Sequence, residues 1–295
     1  MMHLRTLLDW DGDTVLAVLE RAGEIKSSPE KFARSLSGRV LGMYFEKTST
    51  RTRVSFEAGM TRLGGHAIYL DGRTTNVKEG VALADEVRCL DRYCDALTAR
   101  VGRHETVETF VRSSRVPVIN ALCDRYHPCQ ALADLLTVKE KTGGLSGRKL
   151  AYVGDGNNVC NSLIIAAART GLSIAVATPP THRPLPEAIA CGEEAGVLEI
   201  GDDPRAAARE ADAVYTDTWV SMGQEDEKKE RLGIFRPYQV NRDLLGKAWF
   251  LHCLPAYRGL EVTDEVLDSD RSAVFDQAEN RLHAQNAVLL ACLDL

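Results

Sequence analysis

Val40-Leu41-Gly42-Met43-Tyr44-Phe45, followed without a break by Glu46-Lys47-Thr48-Ser49-Thr50-Arg51-Thr52-Arg53-Val54-Ser55-Phe56-Glu57, is the stretch from which the rest of the chain can be read. The first six residues form an apolar run of strand length. Beyond the polar turn, Val54, Phe56, Met60 and Leu63 carry the apolar spacing of a helix. The polar residues therefore fall at a strand-to-helix turn. There the N–H groups of Thr50, Arg51, Thr52 and Arg53 lack partners within the helix and carry the positive end of its dipole. Two readings fit. One is an anion cradle, with hydroxyls and a guanidinium beside those N–H groups; the other is a well-capped helix with solvated basic residues.

The same alternation continues on both sides of this stretch. Upstream, residues 15–22 read as the core of an amphipathic helix. Downstream come helix 52–63, strand 67–70, helix 81–93, strand 96–101, helix 106–113 and strand 116–119. A long helix then opens at His127-Pro128 and ends near Gly143-Gly144, with proline just inside its start and glycine past its end. It reads as a bridge between domains. The second half gives strand 149–153, helix 159–170, strand 173–177, helix 186–195, strand 197–200, helix 204–211, strands 213–216 and 248–251, a final strand near 273–275, and a closing helix over 280–292. Strands alternating with helices imply an α/β protein of two doubly wound parallel-sheet domains. The expected domains are residues 1–130 and 131–279, joined by interdomain helices, with helix 280–295 packed back on the first. Ligands of such sheets bind beyond the carboxyl ends of the strands. In the first domain the loops 46–53, 71–79, 100–103 and 120–127 fall there.

A chain of 295 residues accommodates two domains of ordinary size. A net charge of -6, from 36 basic and 42 acidic residues, argues against a general nucleic-acid or membrane-surface binder. An anionic substrate must then be held by a local basic cluster. The opening Met1-Met2-His3-Leu4-Arg5 leads into a pattern with Asp9, Asp11 and Asp13, unlike a secretory or transit segment. No run approaches the roughly 18 apolar residues of a membrane span. The expectation is a cytoplasmic protein, and most of its eight cysteines read as buried thiols, since no C-x-x-C occurs.

Three further segments could carry chemistry. Gly154-Asp155-Gly156-Asn157-Asn158 follows a strand and precedes a helix, but Val159 replaces the third glycine of the dinucleotide fingerprint. The next strand ends in Thr178-Pro179, without the acidic residue that binds a ribose hydroxyl. A nicotinamide cofactor is therefore not expected. His252-Cys253-Leu254-Pro255 sits at a strand end, where a nucleophilic thiol, a metal-ligand pair or a wall that positions a substrate amine are the possible roles. Alternation along a strand would point His252 and Cys253 to opposite faces, which favours the third. The charged run between Gly223 and Gly233 reads equally as a solvated helix face or as a mobile flap beside Trp219-Val220-Ser221-Met222.

Taken together, Ser49-Thr50-Arg51-Thr52-Arg53, His127-Pro128-Cys129-Gln130, Asp217-Thr218-Trp219-Val220-Ser221-Met222-Gly223 and His252-Cys253-Leu254-Pro255 resemble, in order, the motifs of the transcarbamoylase family and specifically of its ornithine branch. The resemblance implies carbamoyl transfer from carbamoyl phosphate to the side-chain amine of L-ornithine, without cofactor or metal, in a homotrimer or a multiple of trimers. It implies a phosphate site at Ser49, Thr50, Arg51, Thr52, Asn76 and Arg100. The carbamoyl end would be held by Arg51, Thr52, His127, Gln130, Cys253, Leu254 and Arg281. Ornithine would be read by Asn158, Asp217, Ser221 and Met222, with Cys253 and Asp217 directing its amine. Arg51, Arg100, His127 and Cys253 are the expected catalytic set. Asn76 stands where the family usually has Gln or His, and Pro255 is followed by Ala256 where some members have arginine. The loop 71–79 is expected either to reach a neighbouring subunit's phosphate site or to lie solvated at the surface. A non-catalytic sensor on the same fold, or transfer to putrescine or lysine, are the alternatives to be separated.

Overall fold

The computed structural model describes residues 1–75, 77, 80–220 and 225–295. Of the residues singled out above, Asn76 in the loop 71–79, Ser221, Met222 and Gly223 lie outside these. The chain divides into two compact units, Met1–Ala133 with Asn280–Leu295, and Asp134–Glu279.

The first unit begins with helix α1 (Gly12–Ser27), capped by Asp11, whose carboxylate accepts from the Thr14 N–H at 2.8 Å. It continues through β1 (Val40–Phe45), α2 (Thr50–Arg62), β2 (His66–Asp71), α3 (Leu83–Leu90), β3 (Ala96–Arg100), α4 (His104–Ser113) and β4 (Val118–Leu122) into α5 (Pro128–Thr142). The sheet is wholly parallel in the order β2-β1-β3-β4. Its central strands explain the continuous apolar runs: Leu41, Met43, Tyr44 and Phe45 of β1 and all of β3 are buried, as strands covered on both faces must be. Gly42 is required by packing, since a Cβ there would meet Leu97 Cδ2 at 2.8 Å. Residue Leu4 extends the far edge by a parallel bridge to Ile119. The last strand starts two residues later than the sequence pattern implies, because Pro117 has no N–H and pairing begins at Val118.

In the second unit β5 (Lys149–Val153), α6 (Asn158–Thr170), β6 (Ser173–Ala177), α7 (Pro186–Glu194), β7 (Leu198–Gly201), α8 (Pro204–Ala208) and β8 (Ala213–Tyr215) precede α9 (Lys228–Phe235) and α10 (Arg242–Leu245). They are followed by β9 (Trp249–Leu251), α11 (Asp264–Leu267) and α12 (Val274–Cys292). The sheet is parallel in the order β7-β6-β5-β8-β9. Val153, Val214, Trp219, Phe235, Phe250 and Val262 belong to one buried apolar cluster in this unit. The strand expected near 273–275 is instead a single bridge from Phe250 to Ser272, after which α12 starts at Val274. Burial explains the correction. Ala273, Val274 and Gln277 are buried while Phe275 is 77% exposed, a helical rather than an alternating pattern.

In each sheet the strand order reverses once, between β1 and β3 and between β5 and β8. The carboxyl ends at those points are where open parallel sheets bind ligands.

Candidate active site

The reversal in the first unit holds the cradle. β1 and β3 end level, Phe45 opposite Arg100, and Glu46 N–H continues the pairing by donating to Arg100 C=O at 2.9 Å. The Glu46 carboxylate accepts from Gly102 N–H at 2.7 Å, tying the two strand-end loops together. Ser49 caps α2 through its hydroxyl, which accepts from Thr52 N–H at 3.3 Å. Thr50 and Arg51 are exposed on the first turn and Thr52 is buried. The Thr52 hydroxyl collects two guanidiniums, from Arg100 at 3.4 Å and from Arg281 at 3.3 Å. Arg281 also donates to Gln130 at 2.6 Å, so α12 and α5 bring their side chains to the start of α2. Arg53 does not join them: it pairs with Glu57 at 2.9 Å and lies 4.0 Å above the Tyr69 ring.

His127 is buried at the entry to α5, within the field of three guanidiniums. Its basicity is driven well below that of an ordinary histidine by burial first, then by Arg281, Arg100 and Arg51. The imidazole is thus a neutral hydrogen-bond donor or acceptor in a cationic site. Ring-nitrogen chemical shifts should show His127 uncharged throughout a titration from pH 7.5 to 6. A midpoint near the usual 6.5 would contradict the burial and the cationic surroundings.

The reversal in the second unit brings together Asp217, Cys253 and the turn after β5. Asp217 is buried and accepts three hydrogen bonds: Cys253 Sγ at 3.1 Å and Thr218 N–H at 2.8 Å on Oδ1, and Asn157 Nδ2 at 2.7 Å on Oδ2. Burial, and next the Asp217 carboxylate, raise the Cys253 thiol well above its ordinary range, so it is a protonated donor rather than a nucleophile. Asn158 occupies the first position of α6. Gly156 serves close packing instead of a dinucleotide, since a Cβ would fall 2.4 Å from Pro184 N. The His252-Cys253-Leu254 segment is pinned from within: His252 Nδ1 accepts from Leu254 N–H at 2.9 Å, and His252 N–H donates to Gln277 at 2.9 Å. His252 Nε2 lies 3.3 Å from Glu261, also buried. Leu254 is held at φ 60.

Two expectations need correction. β9 stops at Leu251, so strand alternation does not separate His252 from Cys253; their ligand atoms and that of Asp217 lie within 4.8 Å of one another. The Nδ1 of His252 is already engaged by Leu254 and the Cys253 proton by Asp217, so an ion there would have to displace at least the Cys253–Asp217 hydrogen bond. Second, the charged run is not uniformly solvated. Residues 226–230 are exposed, but Arg231 is buried, pairs closely with Asp155 and donates to Trp219 C=O at 2.6 Å. A cavity of about 590 Å³ lined by His3, Arg5, Trp10 and Val111 shares no residue with either cluster.

The sequence matches the aspartate/ornithine carbamoyltransferase models over both units: the carbamoyl-P binding domain at residues 2–140 and the Asp/Orn binding domain at residues 146–292. The chain belongs to the aspartate/ornithine carbamoyltransferase family. Within that family it is 50% identical to an ornithine carbamoyltransferase of Halalkalibacterium halodurans, over 98% of this chain and 94% of the relative. Its fold superposes on the ornithine carbamoyltransferase of Pyrococcus furiosus with a TM-score of 0.93 at 49% identity, covering 98% of this chain and 96% of that one. The anabolic ornithine carbamoyltransferase of Campylobacter jejuni gives a TM-score of 0.93 at 37% identity, over 100% and 99%. The carbamoyl-P binding description falls on the residues of the arginine cradle, and the Asp/Orn description on those around Asp217. Arg281 lies within the second match, although its partners Gln130 and Thr52 lie within the first.

Proposed function

We infer that this carbamoyltransferase family member is an ornithine carbamoyltransferase, moving the carbamoyl group of carbamoyl phosphate to the side-chain amine of L-ornithine to give L-citrulline and phosphate. One observation carries the reading at the residue level: guanidiniums from β3 and α12 meet at Thr52 on the first turn of α2, with Arg51 alongside and the neutral, buried His127 in their field. Such a site suits a dianionic phosphate beside a carbonyl that must be polarised. Ser49, Thr50, Arg51, Thr52 and Arg100 are assigned to the phosphate, and Arg51, Thr52, His127, Gln130 and Arg281 to the carbamoyl group. Asn76, outside the described residues, is assigned to the phosphate by its place in the motif.

Asn158 and Asp217, with Ser221 and Met222 of the undescribed segment, are assigned to the α-amino and α-carboxylate groups of ornithine. Cys253 and Leu254 are assigned to the carbamoyl side of the attacking amine. In the reaction the neutral amine forms the new C–N bond, the C–O bond to phosphate breaks, and the amine proton leaves with the products. Arginine donors stabilise the oxyanion and the departing phosphate; the protonated Cys253 is an unsuitable nucleophile. The substrate amine, with a pKa near 10.4 in water, must lose its proton before attack, and a desolvated site favours that.

A homotrimer is proposed on the same footing. It is supported by apolar side chains left exposed on the first unit, Val54 on α2, Ile68 on the edge strand β2, and Val81. Light scattering should return the mass of three chains or a multiple. All eight cysteines are free, which supports a reducing, cytoplasmic setting. A colorimetric citrulline assay across ornithine, lysine and putrescine tests the activity. Ornithine alone should give product at a substantial rate, and turnover of putrescine or lysine in its place would reassign the substrate.

A further inference from the structure

The Asp217 carboxylate depends on a neighbour that no motif assigns. Asn157 stands at the N-cap of α6, one residue before Asn158. Its Oδ1 accepts from Val159 N–H at 3.0 Å and Cys160 N–H at 3.2 Å, and it also receives the Tyr152 hydroxyl at 3.3 Å. Two backbone donors on that side fix which amide atom is oxygen. The amide nitrogen is thereby turned to Asp217 Oδ2, 2.7 Å away. The other oxygen of Asp217 is taken by Cys253 and by Thr218 N–H. One side chain thus closes the N-terminus of a helix and presents a fixed donor to the carboxylate.

We propose that Asn157 is a positioning residue for ornithine recognition, orienting the Asp217 carboxylate so that it can receive a cationic or amine group of the substrate. The inference rests on the assignment of Asp217 to ornithine made above. Aspartate at position 157 would cap α6 as well as asparagine does and would suit the helix dipole. It would, however, place a second carboxylate where the donor now lies. Two carboxylates at that distance cannot both ionise and titrate as a pair sharing one proton. The groups facing this pair are Asp155, itself paired with Arg231, the neutral thiols of Cys160 and Cys253, and the phenols of Tyr152 and Tyr215, all raised by burial. Among the described residues, Arg231 is the cation that acts on these groups and it is paired with Asp155, so the added negative charge has little to offset it.

The test is Asn157→Asp, assayed for citrulline formation at several pH values against wild type, with carbamoyl phosphate binding followed separately by calorimetry. At pH 6, where the pair holds its proton, thermal unfolding should be nearly unchanged, and carbamoyl phosphate should bind normally. At pH 8.5 the KM for ornithine should rise about tenfold or more. The ratio of variant to wild-type kcat/KM should climb as the pH is lowered toward 6, because the shared proton restores a hydrogen bond between the two carboxyls. A ratio that stays flat with pH, or an unchanged KM for ornithine, overturns the role of Asn157. Asp217→Asn separates the two levels: if that variant keeps the wild-type KM for ornithine, the assignment of Asp217 fails, whereas a raised KM there with a flat profile for Asn157→Asp sinks only the present inference.

Discussion

Replacement of Arg51 by alanine is expected to lower the affinity for carbamoyl phosphate by about 10²-fold or more, with a comparable fall in kcat/KM. Arg51 stands exposed on the first turn of α2, and its side chain makes no hydrogen bond or ion pair with another described residue. Its guanidinium is therefore available for a ligand, while its loss should cost the fold little. Each hydrogen bond from a charged donor contributes about 1.5–3 kcal/mol, and a guanidinium facing a phosphate can make two of them. Two such bonds correspond to about 10² to 10⁴ in binding. Arg100 and Arg281 would remain, held on Thr52 and Gln130, so residual binding should persist. Calorimetric titration with carbamoyl phosphate alone is the measurement, with thermal unfolding as the control for folding. Wild-type affinity in the variant would remove Arg51 from the cradle.

Arg231→Ala should be among the most damaging single changes to the stability of the second unit. Removing one partner of a buried ion pair leaves the other charge uncompensated and typically costs about 3–5 kcal/mol. Here the charge left behind is Asp155 at the carboxyl end of β5, and the Trp219 carbonyl loses its donor as well. The pH dependence is diagnostic. Asp155 is raised from 3.8 to about 6 by burial, with Arg231 opposing the rise. Its folded pKa exceeds its unfolded one, so its contribution to stability is full below about pH 4 and is lost as the pH rises through about 6. Without Arg231 that window extends further upward. Urea unfolding should therefore show a larger penalty for Arg231→Ala at pH 7.5 than at pH 5, where Asp155 is mostly protonated. The double change Asp155→Asn with Arg231→Met should recover much of the loss. Equal stability of the single variant and wild type at pH 7.5 would show that the pair is not buried in solution.

The contrast between these two arginines marks what a linear sequence can convey. Arg51 sits inside a strand-to-helix turn whose apolar flanks declare both elements, and the parallel sheets follow from repeats of that local pattern. Arg231 sits among Glu, Lys and Asp in a run that local composition assigns to water. Its burial is set by Asp155, 76 positions away, and no periodicity encodes that. Asn157 was hidden differently. It lies between the glycines of an apparent nucleotide turn and the adjacent Asn158, and its partner Asp217 is brought beside it only when β8 pairs with β5. For His252 and Cys253 the strand's length decides which way the side chains point. Pairing ends at Leu251, and from there the backbone follows hydrogen bonds to His252 and Gln277 instead of the pleat.

Arg281 gives the first unit an awkward biosynthetic order. The segment 134–279 is contiguous, so all of its strands leave the ribosome in sequence and can collapse while translation continues. The first unit is interrupted: residues 1–133 emerge before the second unit, but Asn280–Leu295, with Arg281 reaching Gln130 and Thr52, emerge after it. Until then Gln130 and Thr52 lack the cation they share, and the parallel sheet of β1 to β4 waits for the helix segment that completes its unit. The anion cradle thus gains its Arg281 contacts only after the whole second unit has been synthesised.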